Sequence, residues 1–353
     1  MTETAPSSEQ SGQIDASLAI DAENVHVTYA DGTKAVRGVS LSVQPGECFG
    51  FVGPNGAGKT TTIRTLVTLL YPTEGAVSVN GYDVRTDPQA VRESIGYMAQ
   101  ETSVDEELTA RENVRFACEL YGVPKADRAD RIAELLEIVG LGDVADTRAA
   151  NFSGGMQKRL DAATALVHRP SVVFLDEPTV GLDPEARLRL WDHLEGLLER
   201  GSTIFLTTQY LDEADRRCDR LALLRDGEVV ATDTPAALKS RVGGDVLALQ
   251  FADDVDHRIA RAKRVVRESD AVDPVAIETT ENGLTVTAAT ARRSAHDLFV
   301  ALSEAGIRVT GFDVRSPTLD DVFLSLTGDR PDRSESGDGP RWASAAAKRE
   351  GSR

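Results

Sequence analysis

The sequence is poor in lysine and carries no excess of positive charge. Only seven of its 39 basic residues are lysine, and its 57 acidic residues leave a formal net charge of −18. Nucleic acid is therefore not an expected partner, because it is bound by basic surfaces. An acidic, arginine-rich chain is compatible with a high-salt cytoplasm, where surface carboxylates repel each other weakly. A GC-rich genome would produce the same preference for arginine.

Long hydrophobic runs and clustered cysteines are also missing. No stretch approaches the roughly 18 consecutive apolar residues of a membrane-spanning helix, and the N-terminus is polar and acidic, unlike a signal peptide. If the protein acts at a membrane, we expect another chain to cross it. Cys48, Cys118 and Cys218 lack metal-binding spacing and are expected to be buried thiols in a reducing compartment.

What the chain does contain is two folded units between polar tails. Residues 1–18 and 328–353 are rich in small and charged residues and are predicted to be disordered. Over 19–237, short apolar runs bounded by Gly and Pro alternate with helix-like segments. This alternation predicts an α/β domain with a mostly parallel, buried sheet.

Residues 241–327 predict a smaller α+β unit. Strands are predicted over 246–251, 274–280, 284–288 and 307–314, helices over 256–268 and 294–305, and a short helix from Thr318. Up to the last strand this order is β-α-β-β-α-β, the ferredoxin-like arrangement.

A glycine-rich loop joins a strand to a helix start in CFGFVGPNGAGKTTTIRTL (48–66). It matches G-x-x-x-x-G-K-[ST], in which glycines let backbone N–H groups surround a phosphate at a helix N-terminus. Lys59 is expected to neutralise phosphate oxygens and Thr60 to offer its hydroxyl to Mg²⁺. A chance glycine turn is the alternative, which the flanking strand and helix disfavour. The predicted nucleotide contacts here are Gly53, Pro54, Asn55, Gly56, Ala57, Gly58, Lys59, Thr60 and Thr61.

Two carboxylates follow the apolar strand in SVVFLDEP (171–178). Ligands of open α/β sheets bind beyond the carboxyl ends of the strands. We therefore expect Asp176 to hold Mg²⁺ and Glu177 to orient or deprotonate an attacking water. Without the phosphate loop, the pair would be typical of an acidic helix N-terminus.

A second phosphate-binding helix N-terminus is predicted in NFSGGMQKRLDAATAL (151–166), where Ser153, Gly154 and Gly155 precede a helix-like segment. One chain rarely needs two such sites for one triphosphate.

The segments GPNGAGKT, SGGMQ, FLDEP and GLDP (181–184), in this order, resemble the ATP-binding subunit of ABC transporters. The resemblance covers about 19–237 and implies a P-loop NTPase fold of the ABC cassette type. That fold has a mostly parallel sheet core, an antiparallel β part and a small helical subdomain, here at about 101–152. The implied ligands are ATP and Mg²⁺. The implied active form is a dimer, more simply a homodimer, in which the SGG segment of one subunit covers ATP held by the other.

Four further residues are matched to family positions by this resemblance. Tyr29 resembles the aromatic residue that stacks on adenine, with a core tyrosine as the alternative. Gln100 resembles the glutamine that contacts Mg²⁺ and leads into the subdomain facing the membrane partner; a solvated loop amide is its alternative. Asp183 resembles the residue that links the two sites of the dimer. Gln209 departs from the family, because most members place a histidine there.

Gln209 follows the strand in FLTTQYLDEAD (205–215). A carboxamide supplies a donor for the γ-phosphate and an acceptor, but it does not titrate. We therefore expect Glu177 to handle the proton while Gln209 stabilises charge. A site that binds ATP but hydrolyses it slowly is the alternative. The predicted catalytic residues are thus Lys59, Glu177 and Gln209, and the predicted metal ligands are Thr60, Gln100 and Asp176.

TTQYLDEAD, together with LTARENV (108–114), RLDAATALVHRP (159–170) and SPTLDDVFLSLTG (316–328), resembles the daunorubicin-resistance group of ABC ATPases. This resemblance implies an exporter ATPase at the cytoplasmic face of the membrane, working with a separate multi-span permease. The C-terminal unit would be a regulatory or dimer-supporting module. The alternatives are a soluble ABC ATPase acting on ribosomes or DNA, an importer ATPase, and a regulatory module that binds nucleotide without turnover.

Overall fold

The computed structural model describes residues 17–251, 255–269, 272–280 and 282–327. The predicted tails lie outside these residues, apart from Ser17 and Leu18. The strands of the first unit are β1 Ile20–Thr28, β2 Lys34–Val43, β3 Cys48–Val52, β4 Glu74–Val79, β5 Tyr82–Asp83, β6 Ile95–Met98, β7 Val172–Asp176, β8 Thr203–Thr208, β9 Arg220–Arg225 and β10 Glu228–Asp233. Its helices are α1 Lys59–Leu66, α2 Pro88–Ser94, α3 Ala110–Leu120, α4 Arg128–Ile138, α5 Gly154–Ala165, α6 Pro184–Glu199, α7 Leu211–Arg217 and α8 Pro235–Ser240.

A six-stranded sheet in the order β10-β9-β3-β8-β7-β6 forms the centre of this unit. All neighbouring strands are parallel except the edge strand β10, which is antiparallel to β9. Every residue of β3, β7 and β8 is buried, which explains their uninterrupted apolar sequences. Because the strands are parallel, the segments that follow β3, β6, β7 and β8 emerge at one edge of the sheet.

A second, antiparallel sheet, in the order β2-β1-β4-β5, covers one face of the central sheet. Valine side chains of this second sheet pack in one hydrophobic core with four phenylalanines of the central strands, namely Phe49, Phe51, Phe174 and Phe205. The opposite face packs against α3, α4, α5, α6 and α7. The predicted α/β cassette with an antiparallel β part is therefore confirmed.

The segment predicted as a helical subdomain contains α3, α4 and two short 3-10 turns, Gly142–Val144 and Ala149–Asn151. α3 begins with a capping box, because Thr109 accepts a hydrogen bond from Glu112 N and the Glu112 carboxylate accepts one from Thr109 N. The capping box positions α3 directly after the loop that starts at Gln100.

The C-terminal unit consists of β11 Asp245–Phe251, α9 Val255–Glu268, β12 Ala276–Thr280, β13 Gly283–Ala288, α10 Ala291–Glu304, β14 Val309–Arg315 and α11 Leu319–Thr327. Its antiparallel sheet has the order β12-β13-β11-β14, and α9 and α10 pack on one face. This topology confirms the predicted ferredoxin-like arrangement.

α11 leaves this unit and returns to the first one. Leu319, Val322 and Phe323 are buried in the core that also contains residues of α7 and α8. Arg315, at the end of β14, forms a bidentate pair with Asp321 that fixes the start of α11. The two units are therefore joined by a shared hydrophobic core as well as by the chain.

Over the described ranges, no helix has both the length and the apolar character needed to span a membrane. Cys48, Cys118 and Cys218 are buried free thiols, as expected from the sequence.

Candidate functional site

The phosphate loop follows β3 and ends at the first turn of α1. Gly58 has a φ of 105°, and a Cβ at this position would lie 2.4 Å from Ala35 O. A Cβ at Gly53 would lie 2.4 Å from Leu224 O. Both positions therefore require glycine. Gly58 is needed for its backbone conformation and its close approach to Ala35, and Gly53 for its close approach to Leu224.

Lys59 is held at the centre of this loop. Its Nζ donates to Gly53 O at 2.8 Å and to Pro54 O at 3.2 Å, and it forms an ion pair with Glu177 Oε1 at 3.1 Å. Lys59 is only 4% exposed and Glu177 6%. Because a nearly buried charge is stable only when paired, each group holds the other in a defined position.

Asp176 ends β7, and β8 pairs beside it. Thr207 Oγ donates to Asp176 Oδ1 at 2.5 Å, and Thr60 Oγ lies 3.4 Å from the same oxygen. Burial raises the pKa of Asp176, and the hydrogen bonds from Thr207 and Thr60 oppose this shift. Glu177 follows with a φ of 51°, a strained conformation that is supported by hydrogen bonds from Glu177 N to Thr207 Oγ and Thr207 O.

These residues fit a hard divalent cation. Asp176 Oδ2 is buried and lacks a hydrogen-bond partner among the residues that the structure describes. An unpartnered carboxylate oxygen beside the Thr60 hydroxyl supplies the oxygen ligands that Mg²⁺ prefers.

Gln100 and Tyr29 contact different parts of the site. Gln100 follows β6 and donates from Nε2 to Glu177 Oε2 at 3.4 Å, so the predicted metal-side glutamine lies next to the predicted base. Tyr29 follows β1, and its hydroxyl lies 3.0 Å from Thr61 Oγ. Tyr29 is 38% exposed, which is unlike a core tyrosine and leaves room for a stacking surface.

Gln209 directly follows β8, beside the phosphate loop. Thr208 pairs with Val52 of β3, and Gly53 N donates to Thr208 O at 3.3 Å. The side chain of Gln209 is half-buried. The structure therefore brings Gln209 to the same edge of the sheet as Lys59.

Ser153, Gly154 and Gly155 lie at the N-terminus of α5 and form no hydrogen bond with the phosphate loop among the described residues. Ser153 caps the helix by accepting from Met156 N at 3.3 Å, and a Cβ at Gly155 would lie 3.5 Å from the Leu182 side chain. Asp183 caps α6 in the same way, accepting from Ala186 N at 2.8 Å. Ser153, Gly154 and Asp183 are exposed. Both helix starts thus present their predicted functional residues to the surface.

Sequence reasoning missed several residues that hold the site together. Besides Thr207, Lys158 on α5 donates to Glu177 O at 3.4 Å and to Val180 O at 2.7 Å. Thr179 Oγ donates to Glu213 Oε2 at 2.6 Å, which ties the segment after the acidic pair to α7. A signal was present for Thr207 alone, because two threonines end a buried strand directly before Gln209.

Two family models match the chain. One, described as ABC transporter, matches residues 36–180, and the C-terminal domain of DrrA1-3-like ATP-binding proteins matches residues 234–327. The daunorubicin/doxorubicin resistance ATP-binding protein DrrA of Streptomyces peucetius is 42% identical over 308 residues, which cover 84% of this chain and 89% of that protein. The chain belongs to the ABC transporter ATP-binding proteins. It is therefore an ABC ATPase, and the predictions of family, fold and enzyme class are confirmed.

Other relatives of this ABC ATPase extend over most of its length. The linearmycin resistance ATP-binding protein LnrL of Bacillus subtilis is 34% identical, covering 88% of this chain and 98% of that protein. The Nod factor export ATP-binding protein I of Burkholderia pseudomallei strain 1710b is 37% identical, covering 88% and 97%. All three relatives carry names of ATP-binding proteins linked to drug resistance or export.

Solved ABC cassettes match about three fifths of the ABC ATPase. An ATP-binding subunit of an ABC transporter has a TM-score of 0.59 at 31% identity, covering 63% of this chain and 92% of that chain. A dimeric ATP-binding cassette in a post-hydrolysis state, bound to ADP and Pi, has a TM-score of 0.57 at 29% identity, covering 61% and 98%.

Proposed function

We propose that this ABC ATPase powers export through a separate multi-span membrane permease, to which it binds at the cytoplasmic face of the membrane. The names of its relatives, which include drug resistance and Nod factor export, favour an exporter over an importer or a soluble ABC ATPase. Phe116 and Leu120 on α3 are 62% and 72% exposed and lie four residues apart on one helix face. They offer an apolar surface on the subdomain that is expected to face the permease.

The observation that carries the catalytic part of the proposal is one connected cluster at the carboxyl edge of the sheet. Lys59 and Gln100 both contact the Glu177 carboxylate, and Asp176 lies beside Thr60. Positioned charges and donors of this kind are what phosphoryl transfer requires. Bound Mg²⁺ would neutralise charge on the transferred phosphoryl group, held by Asp176 and Thr60 with Gln100 nearby.

Lys59 and Glu177 change partners in the proposed reaction. A phosphate bound in the loop competes with the Glu177 carboxylate for Lys59 Nζ. The released carboxylate then orients or deprotonates the attacking water. Gln209 donates its amide N–H to the γ-phosphate and takes no part in proton transfer, because a carboxamide does not titrate.

We further propose that two copies of the chain bind two ATP molecules at their interface. Ser153 and Gly154 are exposed at the N-terminus of α5, where backbone N–H groups and the helix dipole favour phosphate. A Cβ at Gly155 would lie 3.5 Å from the Leu182 side chain, and among the described residues no hydrogen bond joins Ser153 or Gly154 to the phosphate loop of the same chain. A partner subunit would bring them to the nucleotide, and a homodimer needs only this chain.

A combined phosphate-release and sizing experiment tests this proposal. The wild-type chain is expected to release phosphate from Mg·ATP, whereas Glu177→Gln is expected to bind ATP, lose turnover and elute as a dimer with Mg·ATP. Lys59→Ala should abolish both phosphate release and the ATP-dependent dimer, because the proposed reaction needs its ammonium group at the phosphates. Lys125→Ala, which changes an exposed lysine in the α3–α4 loop, serves as the control. A monomeric Glu177→Gln variant with bound Mg·ATP would refute the dimer, and ATP binding without phosphate release by the wild type would favour a regulatory module.

A further inference from the structure

α5 contains a buried carboxylate that the reaction described above does not use. Asp161 is only 2% exposed and lies between Leu160 and Ala162 in an otherwise apolar stretch of the helix. Burial raises the pKa of Asp161, while hydrogen bonds from Ser103 and the charge of Lys158 oppose the shift. A carboxylate is costly to bury unless it is hydrogen-bonded, so its contacts indicate what it does.

Asp161 contacts the loop that carries Gln100. Its Oδ1 accepts hydrogen bonds from Ser103 N at 3.2 Å and from Ser103 Oγ at 2.5 Å. Ser103 lies three residues after Gln100, which itself contacts the Glu177 carboxylate. The short run from Gln100 to Ser103 is therefore held at one end by the catalytic site and at the other by α5.

The same helix also contacts the segment behind the acidic pair. Lys158 lies one turn before Asp161, and its Nζ donates to the carbonyl oxygens of Glu177 and Val180. Burial lowers the pKa of Lys158, whereas the charges of Glu177 and Asp161 act in the opposite direction. α5 thus holds two chain segments of the catalytic site through neighbouring polar side chains.

We propose that Asp161 is a positioning residue that fastens the Gln100 loop to α5. Ser153 at the start of α5 and Gln100 then move as one unit. This inference rests on the proposed dimer, in which the N-terminus of α5 covers the ATP of the partner. Closure over the partner's nucleotide would in this way be transmitted to Gln100, which contacts Glu177 in the subunit's own site.

Hydrogen exchange of the full chain, followed by mass spectrometry, tests the anchor without nucleotide or partner. Asp161→Ala is expected to speed exchange in peptides covering 100–105 by about tenfold or more, because a charge-assisted hydrogen bond is lost. Thr164→Ala is the matched control, since its hydroxyl lies on the same helix and donates only to Asp161 O. Equal exchange of the loop in both variants would overturn the anchor.

Steady-state kinetics test whether the anchor positions the loop for catalysis. Asp161→Ala should lower kcat about tenfold or more while changing KM for ATP less than about twofold, because Tyr29 and the phosphate loop keep their contacts. Asp161→Asn retains an acceptor oxygen for Ser103 and should restore most of the turnover. An unchanged kcat in Asp161→Ala, or a loss of turnover in Asp161→Asn as large as in Asp161→Ala, would overturn the positioning role.

Ser103→Ala gives a second approach that leaves α5 intact, in case Asp161→Ala does not fold. It should lower kcat a few-fold and add nothing in the Asp161→Ala background, because the two residues act through one contact. Thr102→Ala is its control, since among the described residues that hydroxyl accepts a hydrogen bond only from Val104 N, within its own loop. Additive effects of Ser103→Ala and Asp161→Ala would overturn the proposal. If the wild type hydrolyses ATP without forming a dimer, the proposed dimer fails. Hydrogen exchange of the Gln100 loop, and a fall in kcat without a matching change in KM, still decide the role of Asp161.

Discussion

Replacing Thr207 by valine tests whether one hydroxyl positions the acidic pair. Thr207 Oγ donates to Asp176 Oδ1 at 2.5 Å and accepts from Glu177 N at 3.0 Å. Valine has nearly the same shape, so the substitution removes these hydrogen bonds while preserving the contacts of the buried strand. Glu177 N keeps Thr207 O as an acceptor at 3.2 Å, and the main loss therefore falls on Asp176.

The size of the effect follows from the charge of the acceptor. A hydrogen bond to a charged group contributes about 1.5–3 kcal/mol, and each 1.36 kcal/mol corresponds to about tenfold in rate. If the bond is needed in the transition state, Thr207→Val lowers kcat by about 10- to 150-fold. Loss of this hydrogen bond also raises the pKa of Asp176 further, so the acid limb of the pH–rate profile should move to higher pH.

Phosphate release at saturating Mg·ATP, measured across pH, is the assay. Thr203→Val is the matched control, because Thr203 lies on the same strand, is equally buried, and accepts from Gly46 N at 2.9 Å at the opposite end. A kcat and an acid limb that are the same for Thr207→Val and Thr203→Val would refute this reasoning.

Four further predictions concern catalysis and stability. Gln209→His should stay active and Gln209→Ala should lose most phosphate release; full activity of the alanine variant would refute the charge-stabilising role. Burial raises the pKa of Asp176 above its unfolded value, so its ionisation costs stability as pH rises, and Asp176→Asn without nucleotide should gain Tm at neutral pH but not at acid pH. Phe323→Ala should lower the free energy of unfolding by about 3–5 kcal/mol, measured by denaturant, whereas exposed Leu326→Ala should change it little. Fold and ATPase activity are expected to survive about 1 M KCl, since surface carboxylates are then well screened, and their loss would contradict the high-salt interpretation.

The candidate site could be predicted where a short motif brings its own structural context. Lys59, Asp176 and Glu177 each follow or precede a recognisable strand or helix, and parallel strands deliver them to one edge of the sheet. Thr207 and Asp161 could not be predicted in the same way. Their hydrogen bonds join residues 31 and 58 positions apart, and such contacts exist only once the strands and helices have packed.

The fold of the C-terminal unit followed from alternating apolar residues, but two features did not. The helix predicted from residue 294 begins at Ala291. The sequence did not indicate this earlier start, because two arginines in the first turn oppose the helix dipole and Thr290 forms no side-chain capping bond. The apolar spacing of α11 indicates a helix with one buried face. It does not indicate that this face packs against the core of the first unit.

The most direct test of the proposed exporter is to recover its partner. We would purify tagged Glu177→Gln with Mg·ATP from native membranes and identify bound proteins by mass spectrometry, because slowed hydrolysis holds the closed complex together. A multi-span permease in stoichiometric amount is the predicted result, and Lys59→Ala should lose the closed ATP-bound dimer. Recovery of the variant without any membrane protein, or together with ribosomes, would contradict the export function and leave the ATPase chemistry standing.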